Sequence, residues 1–303
     1  MRPSRRVLGE PDRRVRSLQA ALLAAWLVGC APSRDAVPAI TLTDDSGHTT
    51  TLAAPASRVV SLVPAATELV YALGAGSTLV GRTRWCDYPA EALEVPSVGD
   101  GIMPNVEAVV GQRPDLVLAS RSPGNVSAVT RLRGLGIPVL EIAIDQLSDF
   151  ERDARLLAVA LGRPTAGDSL VEETRADLEA ASAVRAKPPT VLIVSWSDPP
   201  IVIGAGSFLN EILHRAGAVN LYGDSDRPSF VVSIESVVDR DPDWILVVGG
   251  SEPAFLGKPE WQVVPAVRER RLLRVSGSMF SRPSPRIGQA VRQLRSALET
   301  AGR

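Results

Sequence analysis

The sequence has little of what most chemistry requires. Among 303 residues there are two cysteines and two histidines. A disulfide framework is excluded, so stability must come from core burial. His48 and His214 lie in unrelated segments, one in a predicted hairpin and one on a predicted helix. A zinc or manganese site built on three or more His, Asp or Glu ligands has little to draw on, and no metal ligand is assigned. The chain also lacks a phosphate loop of the G-x-x-x-x-G-K-[ST] type and a G-x-S-x-G elbow. Gly74-Ala75-Gly76 and Gly204-Ala205-Gly206 are too short for dinucleotide fingerprints and read as turns. No catalytic residue is assigned, and an enzyme is the less favoured reading. The formal net charge of -1 argues against nucleic acid as a partner. Beyond the first thirty residues no apolar run is long enough to span a bilayer.

Positive charge is concentrated in one place. Arg2, Arg5, Arg6, Arg13, Arg14 and Arg16 precede the apolar run Leu18 to Val28, which ends at Gly29-Cys30. A run of about eleven residues suits the h-region of a secretory signal. Leu27-Val28-Gly29-Cys30 resembles a bacterial lipobox, which implies a signal segment over 1–30, lipidation of Cys30 and a membrane anchor outside the cytoplasm. A Pro-containing tether over 31–39 follows. Cys86 is then left as a lone thiol, read as a small buried hydrophobe.

One phrase occurs twice. Val106-Glu107-Ala108-Val109-Val110 is followed after three residues by Pro114-Asp115 and an apolar run. Ile234-Glu235-Ser236-Val237-Val238 is followed after three residues by Pro242-Asp243 and a second apolar run. Each copy reads as a short helix, a turn and a buried strand. Repetition at this distance predicts two similar lobes. Asn105 and Ser233 are predicted helix N-caps, with Glu107 and Glu235 in the first turn, where a negative charge suits the helix dipole.

The remaining pattern agrees. Ile40–Thr43 and Thr49–Leu52 flank Asp45-Ser46-Gly47 as a hairpin. Strands are predicted over 58–63, 79–81, 116–119 and 139–144, alternating with helices, and again over 191–194, 219–221, 244–248 and 272–275. Such alternation implies parallel sheets flanked by helices. Leu170, Val171, Thr174, Leu178 and Ala181 recur at helical spacing in a stretch that ends at Pro188-Pro189. The expected architecture is α/β. It comprises an N-terminal lobe over 40–163, a long linking helix over 164–188 and a C-terminal lobe over 189–303, both lobes Rossmann-like with a cleft between them.

Several stretches resemble the helical-backbone class (class III) of periplasmic substrate-binding proteins, and within it the cobalamin-binding lipoproteins of vitamin B12 ABC importers. They are Arg58 to Leu69, Cys86-Asp87-Tyr88-Pro89, Gly206 to Leu213, Ala216 to Asn220 and Arg282-Pro283-Ser284-Pro285-Arg286. The resemblance implies capture of cobalamin or a related corrinoid between the lobes, with no intrinsic cofactor. It implies delivery to a permease dimer with its ATPase subunits, Glu107 and Glu235 docking on permease arginines. Trp85, Tyr88, Trp196, Phe230 and Arg282 are the implied ligand contacts. Gly101, Ser120 and Ser229 stand where tryptophans would be expected, and Ser278 where an aspartate would be. The alternative ligand is heme or a ferric siderophore, whose carboxylates Arg82, Arg84, Arg121 and Arg282 could meet.

Overall fold

The hairpin opens the fold. Strands β1 (Ile40–Thr43) and β2 (Thr49–Leu52) pair antiparallel, with Ile40 opposite Leu52. Asp44 is buried at its turn and accepts from the backbone N–H of Ser46 and His48 through one oxygen. Its other oxygen takes Glu141 N–H at 3.0 Å and Arg133 at 2.8 Å. One side chain therefore closes the turn and fixes the hairpin to the first sheet. These observations come from a computed structural model that describes residues 39–143, 145–248, 252–275 and 278–302. Cys30, the signal segment and the tether up to residue 38 lie outside the described residues.

The first lobe holds strands β3 (Val59–Ser61), β4 (Leu79–Arg82), β5 (Leu116–Ser120) and β6 (Val139–Ile142), all parallel, in the order β4-β3-β5-β6. Its helices are α1 (Pro64–Ala72), α2 (Val106–Gly111), α3 (Val126–Gly134) and α4 (Leu147–Ala160). Strand period sorts the side chains. Leu116 and Leu118 face a central core, whereas Val117 and Ala119 face a second core under α2 and α3. Both faces of the sheet are thus covered, as a parallel sheet requires.

The second lobe repeats this order. Strands β7 (Thr190–Ser197), β9 (Val219–Asn220), β11 (Trp244–Val248) and β12 (Leu272–Val275) pair in parallel as β9-β7-β11-β12. Two further strands, β8 (Pro200–Ile203) and β10 (Ser229–Val231), extend it antiparallel from the far end of β7. Sequence pattern does not anticipate them. A proline is tolerated at the first residue of a strand, and β8 starts at Pro200. The helices are α6 (Phe208–Arg215), α7 (Ile234–Arg240), α8 (Pro265–Arg268) and α9 (Ile287–Ala301).

The linking helix α5 spans Pro164–Ala181, shorter than the expected 164–188. The chain leaves the helix because other partners capture its last turn. Ser182 Oγ bonds the Leu178 carbonyl at 2.8 Å, and Ala183 N–H donates to the Arg215 carbonyl of α6. Val171, Leu178 and Ala181 of α5 belong to the central core, which also contains residues of both lobes. The helix packs on α4 of the first lobe and on α9 of the second. Contact with α9 is close at Gly288, where a Cβ would lie 2.0 Å from Asp177 Oδ2, so a side chain there would displace that carboxylate from Arg292 and press on the α5 backbone.

The repeated phrase proves to be a repeated structure. Asn105 Oδ1 accepts from Ala108 N–H and Ser233 Oγ from Ser236 N–H, so both predicted caps form. The residue before each proline, Arg113 or Asp241, is in the left-handed region, with φ of 51° and 41°. Asp115 accepts from Ser57 and Arg58 N–H, and Asp243 from Thr190 N–H. In each lobe the turn aspartate thus anchors the start of the lobe's first strand.

Candidate ligand cleft

A cavity of about 860 Å³ opens between the lobes. First-lobe strand ends and the loops after them supply Leu62, Val63, Thr83, Trp85, Gly101, Ser120, Ser122, Asn125, Ile142 and Asp145 among others. The second lobe contributes Ser207 and Phe208 at the start of α6, Pro228, Ser278, Ser281, Arg282 and Pro283. Ligand crevices of α/β sheets lie at the carboxyl ends of the strands, as here.

Two ties hold the lobes together around this cavity. Phe208 N–H donates to the Asp145 carbonyl at 2.7 Å. The larger tie centres on Glu68, 3% exposed on α1. Its carboxylate accepts from Arg282 Nε at 2.8 Å, Arg286 Nε at 2.8 Å and Arg286 Nη2 at 2.6 Å. Arg282 also donates to the Trp85 carbonyl at 3.0 Å and to Asp87 at 2.5 Å. Arg286 covers the Tyr88 ring at 3.6 Å from its centroid. Two arginines of the second lobe are therefore secured to one helix and one loop of the first.

The implied ligand contacts separate into two groups. Trp85 and Arg282 line the cavity. Trp85 is 52% exposed, with Arg84 stacked at 5.1 Å, so one large ring is available at the mouth. Arg282 borders the cavity, but all three of its nitrogens are bonded to the first lobe. Tyr88, Trp196 and Phe230 are not cavity-lining residues. Tyr88 lies under Arg286. Trp196 sits on the extension beyond the bend of β7, where its Nε1 bonds the Asp198 carbonyl. Phe230 packs edge-on against Tyr222 at 5.7 Å, beside the outer core of the second lobe. Trp196 pairs with Ile201 of β8 and Phe230 with Val202, so both sit within the antiparallel strands.

Gly101, Ser120 and Ser278 do line the cavity, while Ser229 does not. At position 101 a Cβ would meet the Leu62 carbonyl oxygen at 2.6 Å, so this backbone accepts only glycine. Residues passed over by sequence reasoning include Glu68, Asn125, Asp145 and Ser207. Glu68 carried a signal, being the single charged residue in the helix Pro-Ala-Ala-Thr-Glu-Leu-Val-Tyr-Ala. A lone charge on an apolar helix points to a buried partner. Cys86 is buried, with Sγ 3.2 Å from Thr83 Oγ1, and does not line the cavity.

Glu107 and Glu235 are both exposed, in the first turns of α2 and α7. Their surroundings differ. Glu107 pairs with Arg131 of α3 at 2.9 Å. The Glu235 carboxyl is held below its usual range by its own backbone N–H and then by the Ser233 hydroxyl.

Comparison with known proteins agrees with this geometry. The chain is 31% identical to the uncharacterized ABC transporter substrate-binding lipoprotein YvrC of Bacillus subtilis (strain 168), over 90% of this chain and 93% of that protein. Among solved structures it is similar to the periplasmic heme-binding protein RhuT of Roseiflexus sp. RS-1 in apo form. The TM-score is 0.72 at 27% identity, covering 82% of this chain and 99% of that one. It is also similar to the periplasmic vitamin B12 binding protein BtuF of Vibrio cholerae, with a TM-score of 0.67 at 28% identity, covering 82% and 99%. A sequence model described as periplasmic binding protein matches residues 59–276. With two α/β lobes enclosing a cavity and a match over most of its length, the chain belongs to the periplasmic binding protein family and is a substrate-binding protein of the ABC transporter type.

Proposed function

We propose that this protein captures cobalamin or a related corrinoid between its lobes outside the cytoplasmic membrane, anchored there by lipid on Cys30. It then delivers the ligand to an ABC permease. The character of the cavity wall is the observation that carries the ligand reading. Thr83, Ser120, Ser122, Asn125, Ser207, Ser278 and Ser281 line it, with the open face of Trp85 at the mouth; of the charged lining residues Asp87 and Arg282 pair with each other, Arg121 is bonded to the Asp45 carbonyl, and Asp145 completes the wall. Neutral hydrogen-bonding groups suit a ligand rimmed with amides, and an aromatic face suits a flat macrocycle. Heme held by the protein needs an axial side chain, usually His, Cys, Met or Tyr. None of these types is among the described residues that line the cavity. A corrinoid brings its own axial groups and asks for none.

Delivery rests on Glu107 and Glu235. Substrate-binding proteins of ABC importers work with a permease and an ATPase, and a twofold permease calls for one equivalent anchor on each lobe. Carboxylates displayed at corresponding helix starts meet that need, since arginine on the partner would bind each in a bidentate, oriented way. The test is a visible-absorbance and calorimetric titration of the purified protein with cyanocobalamin, hemin and a ferric hydroxamate siderophore. Saturable one-to-one binding of cyanocobalamin is expected. Binding of hemin or the siderophore with no response to cyanocobalamin would replace the corrinoid reading with the heme or siderophore one.

A further inference from the structure

The turn between β5 and α3 borders the cavity with Ser120, Arg121, Ser122 and Asn125, and Arg121 donates through Nη1 to the Asp45 carbonyl of the hairpin at 2.9 Å. Asn125 is 1% exposed and stands at the start of α3, yet its side chain does not cap that helix. Its Nδ2 donates to the Ser120 carbonyl at 3.1 Å. That bond fixes the amide orientation, because the flipped form would set Oδ1 against the carbonyl oxygen. Oδ1 is thus a buried acceptor, and it has no partner among the described residues. The hydroxyls of Ser120 and Ser122 also bond no other group among the described residues, and Ser122 leaves its own turn uncapped. A buried acceptor left without a donor is destabilising, and because Asn125 lines the cavity a small turn of its side chain presents Oδ1 to a ligand donor there.

The three groups have a definite complement. Asn125 Oδ1 can only accept, while the two hydroxyls can donate. A primary carboxamide offers an N–H to the first and a carbonyl oxygen to the others. An ionised carboxylate offers no donor, and its lone pairs would face those of Oδ1. We infer that Asn125, with Ser120 and Ser122, forms a subsite that recognises a peripheral primary amide of the ligand and discriminates against a carboxylate in that place. This rests on the corrinoid reading and sharpens it. A corrin rim carries primary amides, whereas the polar groups on the heme rim are propionates.

The experiment compares cyanocobalamin with its monocarboxylic acids, in each of which one peripheral amide has been hydrolysed. The probes are titrated calorimetrically against the wild-type chain, Asn125→Ala and Ser122→Ala. In the wild type, at least one monocarboxylic acid is expected to bind about ten- to a hundredfold more weakly than cyanocobalamin. In Asn125→Ala the affinity for cyanocobalamin falls by a similar factor, and the preference for amide over acid shrinks toward one. That ratio does not depend on the fraction of folded protein, so it separates recognition from a loss of stability. Equal binding of every acid by the wild type, or an unchanged ratio in Asn125→Ala, overturns the subsite while leaving corrinoid capture intact. Absence of cyanocobalamin binding to the wild type, with hemin bound instead, overturns both.

Discussion

Glu68→Gln should be the most destabilising conservative change in the described chain. The carboxylate is the shared acceptor of two arginines from the other lobe, and all three side chains are nearly dry, at 2%, 11% and 9% exposed. With a neutral amide in its place, Arg282 keeps Asp87 and the Trp85 carbonyl. Arg286 keeps only the Ser278 hydroxyl and the face of Tyr88. Removing one partner of a buried ion pair strands the other charge and costs about 3–5 kcal/mol. For a domain of this size that corresponds to a fall in Tm of roughly 6–20 °C. Thermal and urea unfolding followed by circular dichroism read the effect directly. Glu172→Gln is the control. Its partner Arg175 is 49% exposed and Glu172 itself 68%, so the change should stay within about 0.5 kcal/mol. The clamp also sets the spacing of the lobes at the cavity, so ligand affinity should fall in Glu68→Gln and not in the control. A Glu68→Gln protein within about 1 kcal/mol of wild type would refute the reasoning, since it would mean that water screens the network despite its burial.

Further outcomes follow from other sites. Burial first, and then the charge of Asp45, pushes the Asp153 carboxyl up to about 8, with Arg152 at 3.6 Å offsetting only part of the rise. Because the folded state holds this proton more tightly than the unfolded one, stability should decline as pH rises from about 4 to about 8. Asp153→Asn should flatten that decline, and Tm measured at pH 5 and pH 8 checks it. Trp85→Ala should weaken corrinoid binding about tenfold or more by calorimetry, because it removes the exposed ring at the cavity mouth. Replacing Glu107 and Glu235 together with alanine should abolish uptake in cells while ligand affinity stays within about twofold, since neither residue lines the cavity. Unchanged uptake would remove the docking role.

What the sequence made legible was local or repeated. Cap residues, the turn aspartates and the alternation of apolar strands each declare themselves within a few positions, and the doubled phrase gave the lobes away. The ligand cleft was less legible because its wall is assembled from strand ends far apart in the chain, with Ser120, Asp145, Ser207 and Arg282 meeting only after both sheets form. Likeness of sequence pointed to Trp85 and Arg282, and both line the cavity. It pointed to Trp196 and Phe230 as well, but those residues lie where β7, β8 and β10 pair antiparallel and do not line the cavity. Tyr88 is placed differently. It lies next to the cleft in sequence, yet a cation from the other lobe takes its ring face first.

The two lobes agree where a partner must read them together and differ where a ligand must be enclosed. Their four-strand order, helix caps, left-handed turns and turn aspartates correspond one for one. Those shared parts fix the helices that carry Glu107 and Glu235, so under the proposed docking a permease meets two similar carboxylates. Equal geometry does not make the two anchors equal in energy. Arg131 must release Glu107 before a partner arginine can take it, whereas Glu235 has no ion-pair partner among the described residues. An exposed pair of this kind is worth about 0.2–1 kcal/mol, so the bias toward first engagement by the second lobe is at most about fivefold. Arg131→Ala should therefore speed association with permease in detergent or nanodiscs by no more than that factor at low salt, and the gain should vanish at high salt. A larger or salt-independent gain would mean that Arg131 obstructs the partner sterically and that its pairing with Glu107 is incidental.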